Sequence, residues 1–182
     1  MTISFEAFFE SMKNIFLVGL PSSGKTTLGK QLARHIRYRF VDMDSLIVKE
    51  TGMSISDIFA HKGEPYFREE EARILRAIRP DSKLIVATGG GVPCFHDNMT
   101  YIKQNGLSIF LDVSPEEIVD RILKHSSDDR PTYQKADAQL LANLQQKYHD
   151  RRSFYTQADI TLQGESLKVN HLLDVLKDIV TI

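Results

Sequence analysis

Tryptophan is absent from this chain of 182 residues, and cysteine occurs once. No stretch approaches the roughly 20 apolar residues that a membrane-spanning helix needs. The lone thiol, Cys94, can form no intramolecular disulfide, which suits a reducing compartment. Charge of one sign is also lacking: 23 Lys and Arg face 24 Asp and Glu, and the isoelectric point is near 6.6. No global field draws such a chain to nucleic acid or an anionic membrane, so any anion it binds is met by local groups. The six histidines show no HExxH or other metal-ligand spacing and read as surface or capping residues. The expectation is a soluble cytosolic protein with one well-cored domain, with neither nucleic acid nor membrane as a partner.

The first twelve residues, MTISFEAFFESM, contain no Lys or Arg and so lack the charged start of a secretory signal. Phe5, Phe8, Phe9 and Met12 fall at i, i+3, i+4 and i+7, one stripe of a short amphipathic helix. Residues 1–12 are read as an extension docked on the edge of a domain spanning 13–182. A dimer contact through that stripe and a start at Met12 are the alternatives to a docked helix on a monomer.

Apolar runs at Ile15–Val18, Leu84–Ala87 and Ser108–Val113 read as buried strands, with shorter candidates at Phe40–Val41 and Asp159–Leu162. Helical spacing occupies Gly24–Arg37, Glu64–Arg79, Ala136–Arg152 and Ser166–Val180. Ser54 and Ser114 open two more helices as N-caps, the second with Pro115 at the first helical position and an acidic first turn. Strands alternating with helices imply a parallel sheet covered on both faces, with ligands gathered at the strands' carboxyl ends.

Four clusters fall at such ends or on helices facing them. In GLPSSGKT, Gly19, Gly24, Lys25 and Thr26 match a phosphate-binding loop, and the match lies after a buried strand and before an amphipathic helix. Backbone amides and the helix N-terminus face the phosphates, Lys25 bridges the outer two, and the Thr26 hydroxyl can ligate magnesium. Phe40-Val41-Asp42-Met43-Asp44 ends a strand in two acids at i and i+2. One can hold magnesium through water and the other orient an acceptor hydroxyl, unless the pair is only an acidic helix cap. Gly89-Gly90-Gly91 after a strand lets backbone approach a ligand closely, although a flexible turn would also use glycine. Among the arginines, Arg68 has Glu71 three residues on to brace it. Arg130 precedes Pro131 in a polar stretch that reads as a mobile lid, and Arg151 and Arg152 lie near a helix end before Tyr155. Together they could receive both a carboxylate and a transferring phosphate.

The ordered set GLPSSGKT, DMD, IFAHKGEPYFR, TGGG, RP and RRSFY, from Gly19 to Tyr155, resembles shikimate kinase, a nucleoside monophosphate kinase-like P-loop family. The resemblance implies a three-layer α/β/α fold with a five-stranded parallel sheet in the order 2-3-1-4-5 and a mobile lid near 125–136. It implies ATP and shikimate as substrates and Mg²⁺ as cofactor. ATP's phosphates would lie on Gly19 to Thr27, with Ser22, Ser23, Gly24, Lys25, Thr26 and Thr27 in contact. Asp42 would stand with Thr26 near the magnesium, and Arg121 against the adenine. Asp44 would hold the ring hydroxyls of shikimate. Arg68 and Arg151 would clamp its carboxylate, Gly89, Gly90 and Gly91 would meet it by backbone, and Phe59 and Phe67 would wall the pocket. Arg130 would swing in with the lid, joining Lys25 and Asp44 as a catalytic group.

The chain departs from the family pattern at Pro21-Ser22, where Met and Gly are common, and at Thr132, usually aliphatic. Gln163-Gly164-Glu165-Ser166 also offers no arginine to the adenine. Adenylate kinases favour Pro at the first of these places, so another small-molecule kinase for gluconate, adenylylsulfate or a nucleotide is the alternative. A nucleotide-dependent switch is the third alternative, but the chain contains no GTPase-type Asn-Lys-x-Asp guanine motif.

Overall fold

Asn14–Val18 forms β1 at the centre of the sheet, and every residue of it is buried. The computed structural model describes residues 14–125, 133–164 and 167–181. The N-terminal extension and Arg130, Pro131 and Thr132 of the expected lid lie outside the described residues, as do Glu165 and Ser166.

Parallel strands β2 (Arg39–Asp42), β3 (Leu84–Ala87), β4 (Gly106–Asp112) and β5 (Ile160–Gln163) flank β1 in the order β2-β3-β1-β4-β5. That is the order the family resemblance implied. Strand side chains alternate between two apolar clusters, as a period of two demands. Phe16, Val18, Val86 and Phe110 face one, and Ile15, Leu17, Ile85 and Ile109 face the other.

The second cluster is completed by Leu28 and Leu32 of α1 (Lys25–Ile36) and by Leu172 and Leu176 of the last helix, α8 (Val169–Thr181). The first is covered by α2 (Met43–Thr51), α3 (Ile55–His61), α4 (Gly63–Ala77), α5 (Asn98–Asn105), α6 (Pro115–His125) and α7 (Tyr133–Tyr155). Among the described residues, two helices on one face and six on the other give three layers; β1, β3 and most of β4 are buried between them, while the edge strands β2 and β5 keep exposed positions.

The two serine-capped helix starts follow the sequence signals. The Ser54 hydroxyl accepts from Asp57 N, and the Ser114 hydroxyl accepts from Glu117 N at 3.2 Å. Other boundaries shift, and α8 starts at Val169 rather than at the expected Ser166. The α4 helix stops at Ala77, short of Arg79: Ile78 is already extended, and Pro80 disfavours helical backbone at Arg79. The α7 helix overruns the expected Ala136–Arg152 at both ends, and this extra length carries Tyr155 back to the sheet.

Candidate active site

The loop after β1 closes over its own lysine. Gly19 takes φ +141°, and a methyl group there would lie 2.7 Å from the Leu111 carbonyl oxygen, so glycine is required on both counts. The Lys25 ammonium donates to the carbonyl oxygens of Gly19 at 2.9 Å and Leu20 at 2.6 Å, which fixes it beneath the loop. Burial pulls its pKa down to about 8, against the opposing pull of Asp44 and Asp42, while Arg151 lowers it further. Arg121, ion-paired to Glu117 at 2.5 Å, donates to the Ser23 carbonyl at 3.2 Å. It therefore lies over the phosphate loop itself. Gly19, Ser22, Ser23, Gly24, Lys25, Thr26, Thr27 and Arg121 are thus brought together, and all but Gly19 line a cleft of about 1200 Å³.

The acidic pair is arranged differently from two side chains on one strand face. The β2 strand ends at Asp42, whose carboxylate caps α2 by accepting from Asp44 N at 3.1 Å and Ser45 N at 3.3 Å. Asp44 therefore sits in the first helical turn, because Asp42 supplies the cap that ends the strand. The other oxygen of Asp42 accepts from the Thr26 hydroxyl at 2.9 Å, so capping and the link to the phosphate loop are compatible duties of one side chain. Asp44 lines the same cleft, and its pKa is raised by burial and by Asp42, with Lys25 and Arg68 opposing.

Each glycine of the triple makes room for a different neighbour. A methyl group at Gly89 would stand 2.8 Å from Glu71 Oε1 and 2.9 Å from Asp44 Oδ1; one at Gly90 would stand 2.7 Å from Pro21 Cδ. One at Gly91 would collide with Arg68 Nη1 and lie 2.7 Å from its Cζ. The loop is thus packed on the acids, the phosphate loop and the cation at once, which a plain flexible turn would not require. Gly89→Ala is expected to lower kcat about 10²-fold by pushing both carboxylates out of place. Steady-state kinetics beside nucleotide titration checks this, with the ATP dissociation constant expected to stay within about threefold, since Gly89 packs on the acids rather than on the phosphate loop.

Beyond Gly89 lies a cationic end. Arg68 Nη1 donates to Glu71 at 2.7 Å, and Nε and Nη2 donate to Glu64 at 3.0 and 2.7 Å. These bonds use three of the five guanidinium N–H groups, which leaves two without a protein acceptor among the described residues. Glu71 is 1% exposed, and burial carries its pKa up to about 7 in spite of Arg68. Arg151 acts electrostatically on Glu71, Cys94 and Tyr155, which places it in the same group. Arg152 lies elsewhere, donating to the Tyr148 hydroxyl at 3.2 Å. Phe67 is buried and Phe59 exposed, with ring centroids 4.8 Å apart. Cys94 is half-buried and packs against the core, and burial raises its pKa to about 11, which leaves it a poor nucleophile.

Three features were not anticipated. Glu64 is the second brace of Arg68, and its i−4 spacing could have revealed it. The Tyr155 hydroxyl donates to the Gly90 carbonyl at 2.5 Å, pinning the glycine loop to α7. Phe95 stacks on Arg68 with its centroid 4.4 Å from Cζ, and nothing in sequence spacing signals that contact.

The chain matches the family model described as shikimate kinase over residues 21–180. It is 39% identical over 163 residues to the shikimate kinase of Sulfurihydrogenibium sp. (strain YO3AOP1), covering 90% of this chain and 95% of that protein. The crystal structure of shikimate kinase from Bacteroides thetaiotaomicron superposes with a TM-score of 0.80 at 32% identity, covering 94% of this chain and all of that one. Shikimate kinase from Acinetobacter baumannii in complex with shikimate gives 0.77 at 30%, covering 96% and 94%. With its phosphate loop, acidic pair and braced arginine arranged on a sheet of this order, the chain belongs to the shikimate kinase family.

Proposed function

We infer that this chain transfers the γ-phosphoryl group of ATP to the 3-hydroxyl of shikimate, giving shikimate 3-phosphate and ADP in aromatic amino-acid biosynthesis. The observation that carries the reading is the polarity across Gly89. Asp44 and Glu71 meet there, the phosphate loop abuts Gly90, and the Arg68 guanidinium abuts Gly91. An acceptor with hydroxyls at one end and a carboxylate at the other matches that order.

ATP's phosphates are assigned to the amides of Gly19 to Thr27 and to Lys25, with Arg121 alongside. Arg68 and Arg151 receive the carboxylate, Gly89, Gly90 and Gly91 give it backbone contact, and Phe59 and Phe67 exclude water. Asp44 orients the attacking hydroxyl and takes its proton late in the transfer. Lys25 neutralises charge on the transferring group, and Arg130, outside the described residues, is assigned to the same task. For a metal, the Thr26 hydroxyl and the Asp42 carboxylate at 2.9 Å form a hard oxygen pair that fits Mg²⁺ shared with phosphates and water. When bound, the ion would screen the phosphate oxygens against the incoming hydroxyl. The reading includes a monomer in the cytoplasm; among the described residues no helix is long and apolar enough to cross a membrane.

Coupled ADP release with ATP and magnesium across shikimate, gluconate, adenylylsulfate and nucleoside monophosphates tests the assignment. Turnover with shikimate alone is expected, and turnover confined to gluconate or a nucleotide overturns it.

Lys25 makes nucleotide binding pH-dependent. It is charged below about pH 8 in the free protein and neutral above. Between about 8 and the ordinary 10.5 the unfolded chain holds more protons, so folding stability rises with pH across that window. Phosphate binding runs the other way, because it needs the ammonium. The ATP dissociation constant is expected to rise roughly tenfold per pH unit above that pKa. Titration calorimetry in buffers of different ionisation heat should show proton uptake on binding at pH 9, little at pH 7, and none in Lys25→Met.

A further inference from the structure

Phe95 follows the short 3₁₀ turn Val92–Cys94 and is 37% exposed, so the core does not require its ring. The two residues after it, His96 and Asp97, take φ +52° and +54°, a left-handed backbone that side-chain-bearing residues rarely adopt. That conformation is held firmly from outside the loop. Arg76 of α4 donates to the His96 carbonyl at 2.6 Å and to Asn98 Oδ1 at 2.6 Å, and the buried Asn98 amide donates to the Val92 carbonyl at 2.9 Å. A strained segment kept in place by neighbouring groups invites a functional reading. What the segment delivers is the ring of Phe95 on the Arg68 guanidinium, 4.4 Å from centroid to Cζ, with Phe67 at 5.3 Å.

We propose that Phe95 is a positioning residue for the acceptor: it holds the plane of Arg68 and keeps water off its face, so that the two uncommitted N–H groups meet a carboxylate in a drier setting. This rests on the reading that Arg68 receives the acceptor's carboxylate. An aromatic ring suits the task because it attracts the cation without consuming an N–H donor. Glu64 and Glu71 hold the guanidinium by its edges, and Phe95 supplies what they cannot, a covered face. A desolvated ion pair is stronger than a hydrated one, so the benefit belongs to the carboxylate and not to ATP.

Kinetics of Phe95→Leu and Phe95→Tyr, each with shikimate and ATP varied separately, test the proposal. Leucine keeps much of the apolar bulk and loses the ring's attraction for a cation. Its shikimate KM is expected to rise about fivefold to twentyfold, with kcat and the ATP KM within about twofold of wild type. Tyrosine, which retains the ring, is expected to restore the wild-type KM. An unchanged shikimate KM in the leucine variant overturns the proposal, as does a rise of both KM values together or a failure of tyrosine to rescue. A wild-type protein that does not turn over shikimate overturns the functional reading along with it, whereas normal wild-type turnover with an unaffected leucine variant removes only the role of Phe95.

Discussion

Asp44→Asn is expected to lower kcat by about 10²- to 10⁴-fold, the range set by losing a positioned acid–base group. Measured near pH 7, where Lys25 is charged, the ATP dissociation constant should change far less than kcat: the hydrogen bond from the phosphate loop to the acidic pair runs from Thr26 to Asp42, and Asp44 acts on Lys25 electrostatically. Asparagine keeps the shape and the capacity to accept a hydrogen bond, but it cannot take a proton. The same change should stabilise the ligand-free protein. Burial and the neighbouring Asp42 raise the Asp44 pKa, which means that the folded state disfavours its ionised form. As pH rises through the ordinary carboxylate value, the unfolded chain gives up this proton first, and stability falls. Removing the charge relieves that loss, so Tm at neutral pH is expected to rise while turnover collapses. Opposite signs for stability and activity are a signature of a functional group in place at some cost to the fold. A variant with near-normal kcat would reduce Asp44 to a first-turn helix residue.

The strands were legible because parallel strands buried on both faces read as unbroken apolar runs: Leu84–Ala87 was delimited to the residue. The phosphate loop was legible because its spacing comes with a strand before and a helix after. Ends governed by tertiary contact were not, as with α7, whose last turn is fixed by Tyr155 reaching Gly90 across 65 positions of sequence. The same limit applied within the site. Glu71 could be paired with Arg68 from local spacing, whereas Phe95 lies 27 positions further on and meets Arg68 only through the fold. Pro21-Ser22, the departure that favoured competing kinases, also has a local account. Pro21 packs on Gly90, and Ser22 takes φ +61° where a glycine would do so freely. The phosphate loop and the triple-glycine loop therefore touch through Pro21, a contact that no single motif contains.

Arg68→Ala should raise the shikimate KM about 10²-fold, since charge-assisted, partly buried hydrogen bonds are among the stronger ones, and leave the ATP KM within about threefold. The substitution has a second effect that must be separated from the first. Glu71 is 1% exposed and already titrates near 7 with Arg68 beside it. Without that cation its pKa climbs further, and the protein folds with Glu71 protonated at neutral pH. In the wild type the folded state holds the Glu71 proton between its ordinary 4.5 and about 7 while the unfolded chain does not, so this group's contribution to stability declines as pH rises across that window. In Arg68→Ala the decline should continue to higher pH, which thermal melts at pH 6, 7 and 8 would resolve. Arg68→Lys is the informative partner. It keeps a cation near Glu71 and so should restore the wild-type pH profile of stability, yet it loses the planar fork and should recover only part of the shikimate affinity. If alanine and lysine raise both KM values equally, Arg68 serves the fold of α4 and not the acceptor's carboxylate.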